Sequence, residues 1–247
     1  MTLFHRAAIY FMPAVTTPLG RFGASWLGRE AEGGPVAARP PVPGLDDAAL
    51  HRLTAEPRRY GFHATLRAPF MAADGLDAQA LVAAIERLAA TLAPVTLDDG
   101  LSVRRIGSFL ALVPASPSSA LIDLAAAIVA GTDDLRRPLS ADDRARRIAR
   151  GRLDARHTAL LDRWGYPYVM DAFRFHMTLT GPLTDMAGAE AVEEALPGLA
   201  RRAGAAGTPV VIDRIAIAVE PAPGAAFMLH RQIPLGHPAG ADDQIRS

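Results

Sequence analysis

Two short strings carry side chains that can do chemistry together: His63-Ala64-Thr65-Leu66 and His176-Met177-Thr178-Leu179. An imidazole titrates near neutrality, so one ring can accept a proton while a second donates one. A threonine hydroxyl can donate to a non-bridging phosphate oxygen as its charge grows in a transition state. With seven His in 247 residues, one His-x-Thr is expected by chance about 0.4 times, so a single copy would say little. Two copies, both running on to Leu and both in strand-like segments, say much more. Side chains alternate faces along a strand. His63, Thr65 and Arg67 would then oppose Phe62, Ala64 and Leu66, and Arg174, His176 and Thr178 would oppose Phe173, Phe175 and Met177. The expectation is two polar faces meeting across one cleft, with His63 and His176 as the acid–base pair and Thr65 and Thr178 as phosphate ligands. Arg67 and Arg174 are candidate phosphate clamps, and Tyr10 and Tyr60 candidate cleft-lining residues. No His/Asp/Glu cluster has metal-ligand spacing, so neither a metal nor another cofactor is expected.

These residues need elements to hold them. Ile9, Tyr10 and Phe11 favour an opening strand over 6–12, and Thr17-Pro18 reads as the start of a helix that stops at Gly28. Residues 30–43, rich in Gly, Pro and Ala, read as a surface loop, with a turn of helix over 46–53. The first motif strand is expected over 60–69, then a helix over 77–92 with Leu81, Ile85, Leu88 and Leu92 at helical spacing. Strands over 95–106 (broken at 98–100) and 108–113 come next, and then a helix capped at Ser116-Pro117. An Arg-rich helical segment over 140–164 is interrupted near Gly151. Its arginines read better as a solvated face than as a polyanion contact. The second motif strand is expected over 172–181, a helix over 186–203 that breaks or kinks before Pro197, and strands over 210–219 and 227–235. The order suggests a duplicated α+β unit of two antiparallel sheets flanked by helices around a central cleft. The reading is one bilobal domain over 1–236 and a flexible tail over 237–247.

Composition sets outer limits. The sequence has 26 basic and 26 acidic residues, and every basic one is arginine. With no lysine there is no Walker-A lysine, Schiff-base lysine or nucleotidyl-lysine. With no cysteine there is no thiolate nucleophile, disulfide or Cys-ligated metal. Balanced charge argues against broad coating of nucleic acid. No run approaches the ~18 apolar residues of a membrane span, and the apolar run over 7–12 lacks a signal-peptide pattern, so a cytoplasmic protein with no membrane or obligate protein partner is expected.

The paired His-x-Thr-Leu strings resemble the 2H phosphoesterase superfamily, which includes the RNA 2′,3′-cyclic phosphodiesterases. Tyr60-Gly61-Phe62-His63, Trp164-Gly165-Tyr166-Pro167-Tyr168 and Phe173-Arg174-Phe175-His176-Met177-Thr178-Leu179-Thr180-Gly181 resemble a bacterial branch known as DUF1045, encoded among phosphonate-utilisation genes. The resemblance implies a bilobal fold with the motif strands side by side. It also implies a metal-independent phosphoric diester hydrolase whose substrate is a small cyclic phosphate of the ribose 1,2-cyclic phosphate type. The alternatives are an RNA 2′,3′-cyclic phosphodiesterase and a non-catalytic binder of nucleotides or phosphosugars.

Overall fold

The apolar stripe of the opening segment builds the centre of the molecule. In a computed structural model that describes residues 4–184 and 188–236, Arg6–Phe11 form β1, of which Ala7 to Phe11 are buried. Thr17 accepts a hydrogen bond from Gly20 N and so caps α1, Pro18–Leu27, which ends at Gly28 in the left-handed region. Irregular chain follows to Asp46, which caps α2, Asp47–Leu53, itself followed by the short α3, Ala55–Arg58. β2, Ala64–Phe70, is the first motif strand, and Asp77 caps α4, Ala78–Ala90. β3 (Val95–Leu97), β4 (Leu101–Ile106) and β5 (Phe109–Pro114) precede α5, Ser119–Gly131. The arginine-rich stretch forms α6, Ala141–Gly151, and α7, Ala155–Trp164. β6, Met177–Thr178, is the second motif strand, followed by α8, Ala189–Arg202, then β7 (Val210–Ile212), β8 (Arg214–Glu220) and β9 (Met228–Pro234).

The strands make two antiparallel sheets of unequal size, one of seven strands in the order β4-β5-β6-β2-β1-β8-β9 and one pairing β3 with β7. Instead of one sheet per half, the two motif strands are hydrogen-bonded neighbours in the middle of the large sheet. One face of it packs Ile9, Phe11, Leu66, Leu112, Met177 and Ile217 with the buried sides of α1, α4, α5 and α8. The other carries a smaller cluster of Ala8, Tyr10, Met12, Ala216, Ala218 and Phe227.

Three local expectations are corrected. The α5 cap is Ser118, whose side chain accepts from Leu121 N, rather than Ser116, whose hydroxyl goes to Asp99. α8 runs through Pro197, because Val192, Leu196 and Ala200 form one buried stripe across it and their packing outweighs the lost N–H. The second motif strand shrinks to two residues. Leu179 N and Thr180 N both bond Leu110 O, and Trp26 Nε1 takes Leu179 O at 2.7 Å, so the ladder gives way to tertiary bonds. The start of the expected helix at 186 and the tail over 237–247 lie outside the described residues.

Candidate active site

Strand register brings the motifs together. Ala64 pairs with Met177, and both are fully buried. Continued one residue either way, this antiparallel register sets His63 across from Thr178 and Thr65 across from His176, all four on the face opposite the core. Each histidine is thus flanked by the threonine of the other motif. The approach to His63 is shaped by Gly61 and Gly23. Gly61 has φ +74°, a conformation that favours glycine. A Cβ on Gly23 of α1 would fall 1.8 Å from the Phe62 ring, so only glycine lets the helix lie against the residue before His63.

The two imidazoles are held alike. His63 Nδ1 lies 2.9 Å from Gly61 O, and His176 Nδ1 lies 2.8 Å from Arg174 O. A carbonyl can only accept, so each ring carries its proton on Nδ1, leaving Nε2 as the acceptor of the neutral form. The Thr65 hydroxyl sits 3.2 Å from His63 Nε2 and donates to it. Their surroundings differ. The Tyr10 ring lies 4.0 Å from His63, centroid to centroid, and Tyr60 lies at 5.9 Å, stacked in turn on Phe227. Burial pushes His63 down to about 4. The carbonyl of Gly61 opposes that shift and nearby His176 adds to it. At neutral pH His63 is an uncharged base. His176 has Phe109 at 6.0 Å as its aromatic neighbour. The Tyr10 phenol is raised far above its usual range, first by burial and then by Tyr60.

The expected arginine clamps go elsewhere. Register shifts between β1 and β2 set Arg67 opposite Ile9, a core residue, so the alternation that aligns His63 with Thr65 does not extend to Arg67. Its guanidinium is 3% exposed, donates through Nη1 to Val129 O at 2.5 Å near the carboxyl end of α5, and lies 3.6 Å from Asp133. Burial lowers Arg67 to about 10, against the pull of Asp133. Arg174 is exposed, and its backbone carbonyl is what orients His176. Tyr10 and Tyr60 do stand beside His63.

Sequence reasoning missed Glu220. It is fully buried, with Arg6 Nε at 2.5 Å, Arg59 Nη2 at 2.6 Å and Gly224 N at 3.0 Å. Burial opposes its ionisation, yet the hydrogen bond and charge of Arg6, with the Gly224 and Arg59 bonds, hold the carboxyl below its usual range. The clamp ties the ends of β1 and β8 to Arg59, the neighbour of Tyr60. A carboxylate at the next position after Ala216 and Ala218 on one strand face was the available signal.

Among the described residues no group of three or more His, Cys, Asp or Glu is arranged to hold a metal, and no helix is long and apolar enough to cross a membrane. Fold and site together define an α+β protein with two opposed His-x-Thr pairs at the middle of an antiparallel sheet. The chain belongs to the family described as "Protein of unknown function (DUF1045)", whose model matches residues 65–228. It is also similar to a "Ribose 1,5-bisphosphate phosphokinase PhnN" of Janthinobacterium sp. (strain Marseille), 38% identical over 231 residues, covering 93% of this chain and 50% of that protein. A protein of the same name from Laribacter hongkongensis (strain HLHK9) is 37% identical over 240 residues, covering 92% of this chain and 51% of the relative. The chain thus spans about half the length of the curated relatives it matches.

These names correct the expectation of a cyclic phosphodiesterase, and with it the hydrolase class. Both relatives are named as a phosphokinase, and neither as a hydrolase or an RNA phosphodiesterase. The physical reason for the error is that paired imidazoles and hydroxyls hold a phosphate and move its proton. They do not by themselves select water as the group that attacks it.

Proposed function

We propose that this chain is the sugar-phosphate-handling part of an enzyme of phosphonate metabolism. In this reading a phosphorylated ribose lies on the His63–His176 face. The hydroxyls of Thr65 and Thr178 donate to its phosphate oxygens, and neutral His63 accepts a proton through Nε2. The observation that carries the reading is the matched pair of Nδ1–H···O=C bonds, which makes Nε2 the acceptor nitrogen of both rings; the Thr65 hydroxyl that holds His63 Nε2 turns to the phosphate when it binds. The relatives supply the ligand class, since ribose 1,5-bisphosphate is in their name. The chain contains no lysine, so it holds no lysine-bearing nucleotide-phosphate loop of its own. The two motif strands at the sheet centre, flanked by β1 and β5 and then by β8 and β4, support a duplicated scaffold akin to the 2H superfamily. That kinship concerns architecture.

Isothermal titration calorimetry with ribose 1,5-bisphosphate, ribose 5-phosphate and ATP tests this reading. The sugar phosphates are expected to bind the wild type, to weaken at least 10-fold in His176→Ala, and not to be displaced by ATP. Absence of sugar-phosphate binding, or equal binding by a His63→Ala/His176→Ala double variant, would refute it.

A further inference from the structure

Beside the histidine face lies a cavity of about 450 Å³, in the size range of small-ligand sites. Six arginines line it: Arg6, Arg67, Arg136, Arg137, Arg146 and Arg147. One carboxylate, Asp143, also faces it, and is already engaged by Ser140 and Arg146. Neither catalytic-pair histidine lines the cavity, but Arg6 on its wall lies over the Phe227 ring at 5.6 Å, and Phe227 packs on Tyr10 and Tyr60, the two rings beside His63. The cavity and the histidine face are therefore adjacent.

Most of these guanidiniums are neutralised within the protein. Arg6 is bound to Glu220, Arg136 to Asp133 and Arg137 to Asp74. Two are not fully used. Arg147, half-buried, donates through Nη1 to the Gly165 carbonyl at 3.0 Å and forms no ion pair among the described residues. Arg67 Nη2 is buried with no hydrogen-bond partner, its nearest carboxylate oxygen lying at 3.6 Å. A buried guanidinium with an unspent donor is costly unless something anionic completes it. Planar guanidinium forks match the oxygens of a phosphate.

Building on the sugar-phosphate reading, we propose that this cavity is a second phosphate site. It takes the distal phosphate of a bisphosphorylated pentose whose other phosphate lies on the His63–His176 face. The ligand class follows from two separated anion sites of unlike design, one neutral and proton-exchanging, the other permanently cationic. A monophosphate would fill only one of them.

Trp164 lines the cavity and Trp26 is fully buried elsewhere, so tryptophan emission reports on this site. Titration with inorganic phosphate is expected to change the emission of the wild type and of His63→Ala alike. The change should be lost in Arg147→Gln, which lies on α6, a helix without buried residues, and so keeps the fold. In calorimetry, Arg147→Gln should weaken ribose 1,5-bisphosphate about 10-fold or more and leave ribose 5-phosphate within a factor of two. Arg67→Gln should act in the same direction in whatever fraction remains folded by circular dichroism. Wild-type emission indifferent to phosphate, or an unchanged bisphosphate-to-monophosphate ratio in Arg147→Gln, would overturn the proposal. A retained phosphate response alongside ribose phosphates that bind His63→Ala as they bind wild type would instead refute the histidine-face reading and leave the cavity as an anion site.

Discussion

Replacing His63 with Gln should change how stability depends on pH, by an amount that follows from its surroundings. Burial depresses the folded-state value from 6.5 to about 4. Between those values the unfolded chain binds more proton than the folded one, so the folded state loses stability as pH falls through that window. A shift of roughly 2.5 units corresponds to about 3 kcal/mol at full development. The loss is about 2 kcal/mol by pH 5 and nearly complete by pH 4. These are upper figures, since the ring keeps some contact with water. Urea unfolding of wild type and His63→Gln at half-unit steps from pH 7 to pH 4 isolates the effect, because Glu220, Asp133 and the other acids are common to both. The wild type is expected to lose the extra stability and the variant to keep it. Long-range ¹⁵N NMR of the wild type should show His63 as the neutral Nδ1–H tautomer at pH 6. Parallel stability curves, or a His63 titration near 6.5, would refute the burial argument and the assignment of His63 as a neutral base.

Further outcomes follow from particular contacts. Thr65→Val and Thr178→Val each remove one hydroxyl donor and are expected to weaken ribose phosphate binding about 10-fold by calorimetry, with His63 keeping its tautomer. Trp26→Phe removes the indole bond to Leu179 O and should cost about 1–3 kcal/mol in urea unfolding, with looser amide protection at 177–180. Glu220→Gln leaves Arg6 and Arg59 without their shared carboxylate and is expected to destabilise by about 2 kcal/mol, short of a fully buried pair because both arginines touch water. Since the Glu220 carboxyl sits below its usual range, its contribution is present at neutral pH and lost as pH falls through that lowered value. The variant's acid limb should be the flatter one.

Period-two alternation matches the burial pattern from His63 to Thr65 and from His176 to Thr178, where Ala64 and Met177 are buried between partly exposed neighbours, and fails at Arg67, where β1 and β2 slip in register. A bulge depends on both strands and leaves little trace in either one alone. Helices with strong caps were legible: Thr17, Asp46 and Asp77 each accept a hydrogen bond from a backbone N–H three residues on. Ser116 and Ser118 could not be separated by type, and the choice went to the one whose hydroxyl reaches Leu121 N. The short second motif strand was hidden because its backbone is satisfied by Trp26, Leu53 and Leu110, partners distant in sequence. Glu220 escaped because a buried carboxylate is intelligible only once Arg6 and Arg59, from other parts of the chain, are seen to meet it.

The sheet centre nearly repeats itself, and its chemistry depends on where it does not. Each histidine donates Nδ1–H to the carbonyl two residues earlier, and each faces the other motif's threonine, so the backbone frame is common to both. The strands outside the pair break the likeness. β1 lays Tyr10, itself 1% exposed, on His63, with Tyr60 and Phe227 behind it, whereas β5 offers His176 only the more distant Phe109. Aromatic cover desolvates one imidazole and makes it a standing acceptor, and the other ring lacks that cover. Two like groups in unlike surroundings can take different proton-transfer roles at one pH. Transplanting the difference tests this: Phe109→Tyr adds only a hydroxyl and should leave His63 unchanged, whereas Tyr10→Ala should raise the His63 titration toward 6.5 by letting water reach the ring. If Tyr10→Ala leaves His63 near 4, the aromatic cover is not what separates the two histidines.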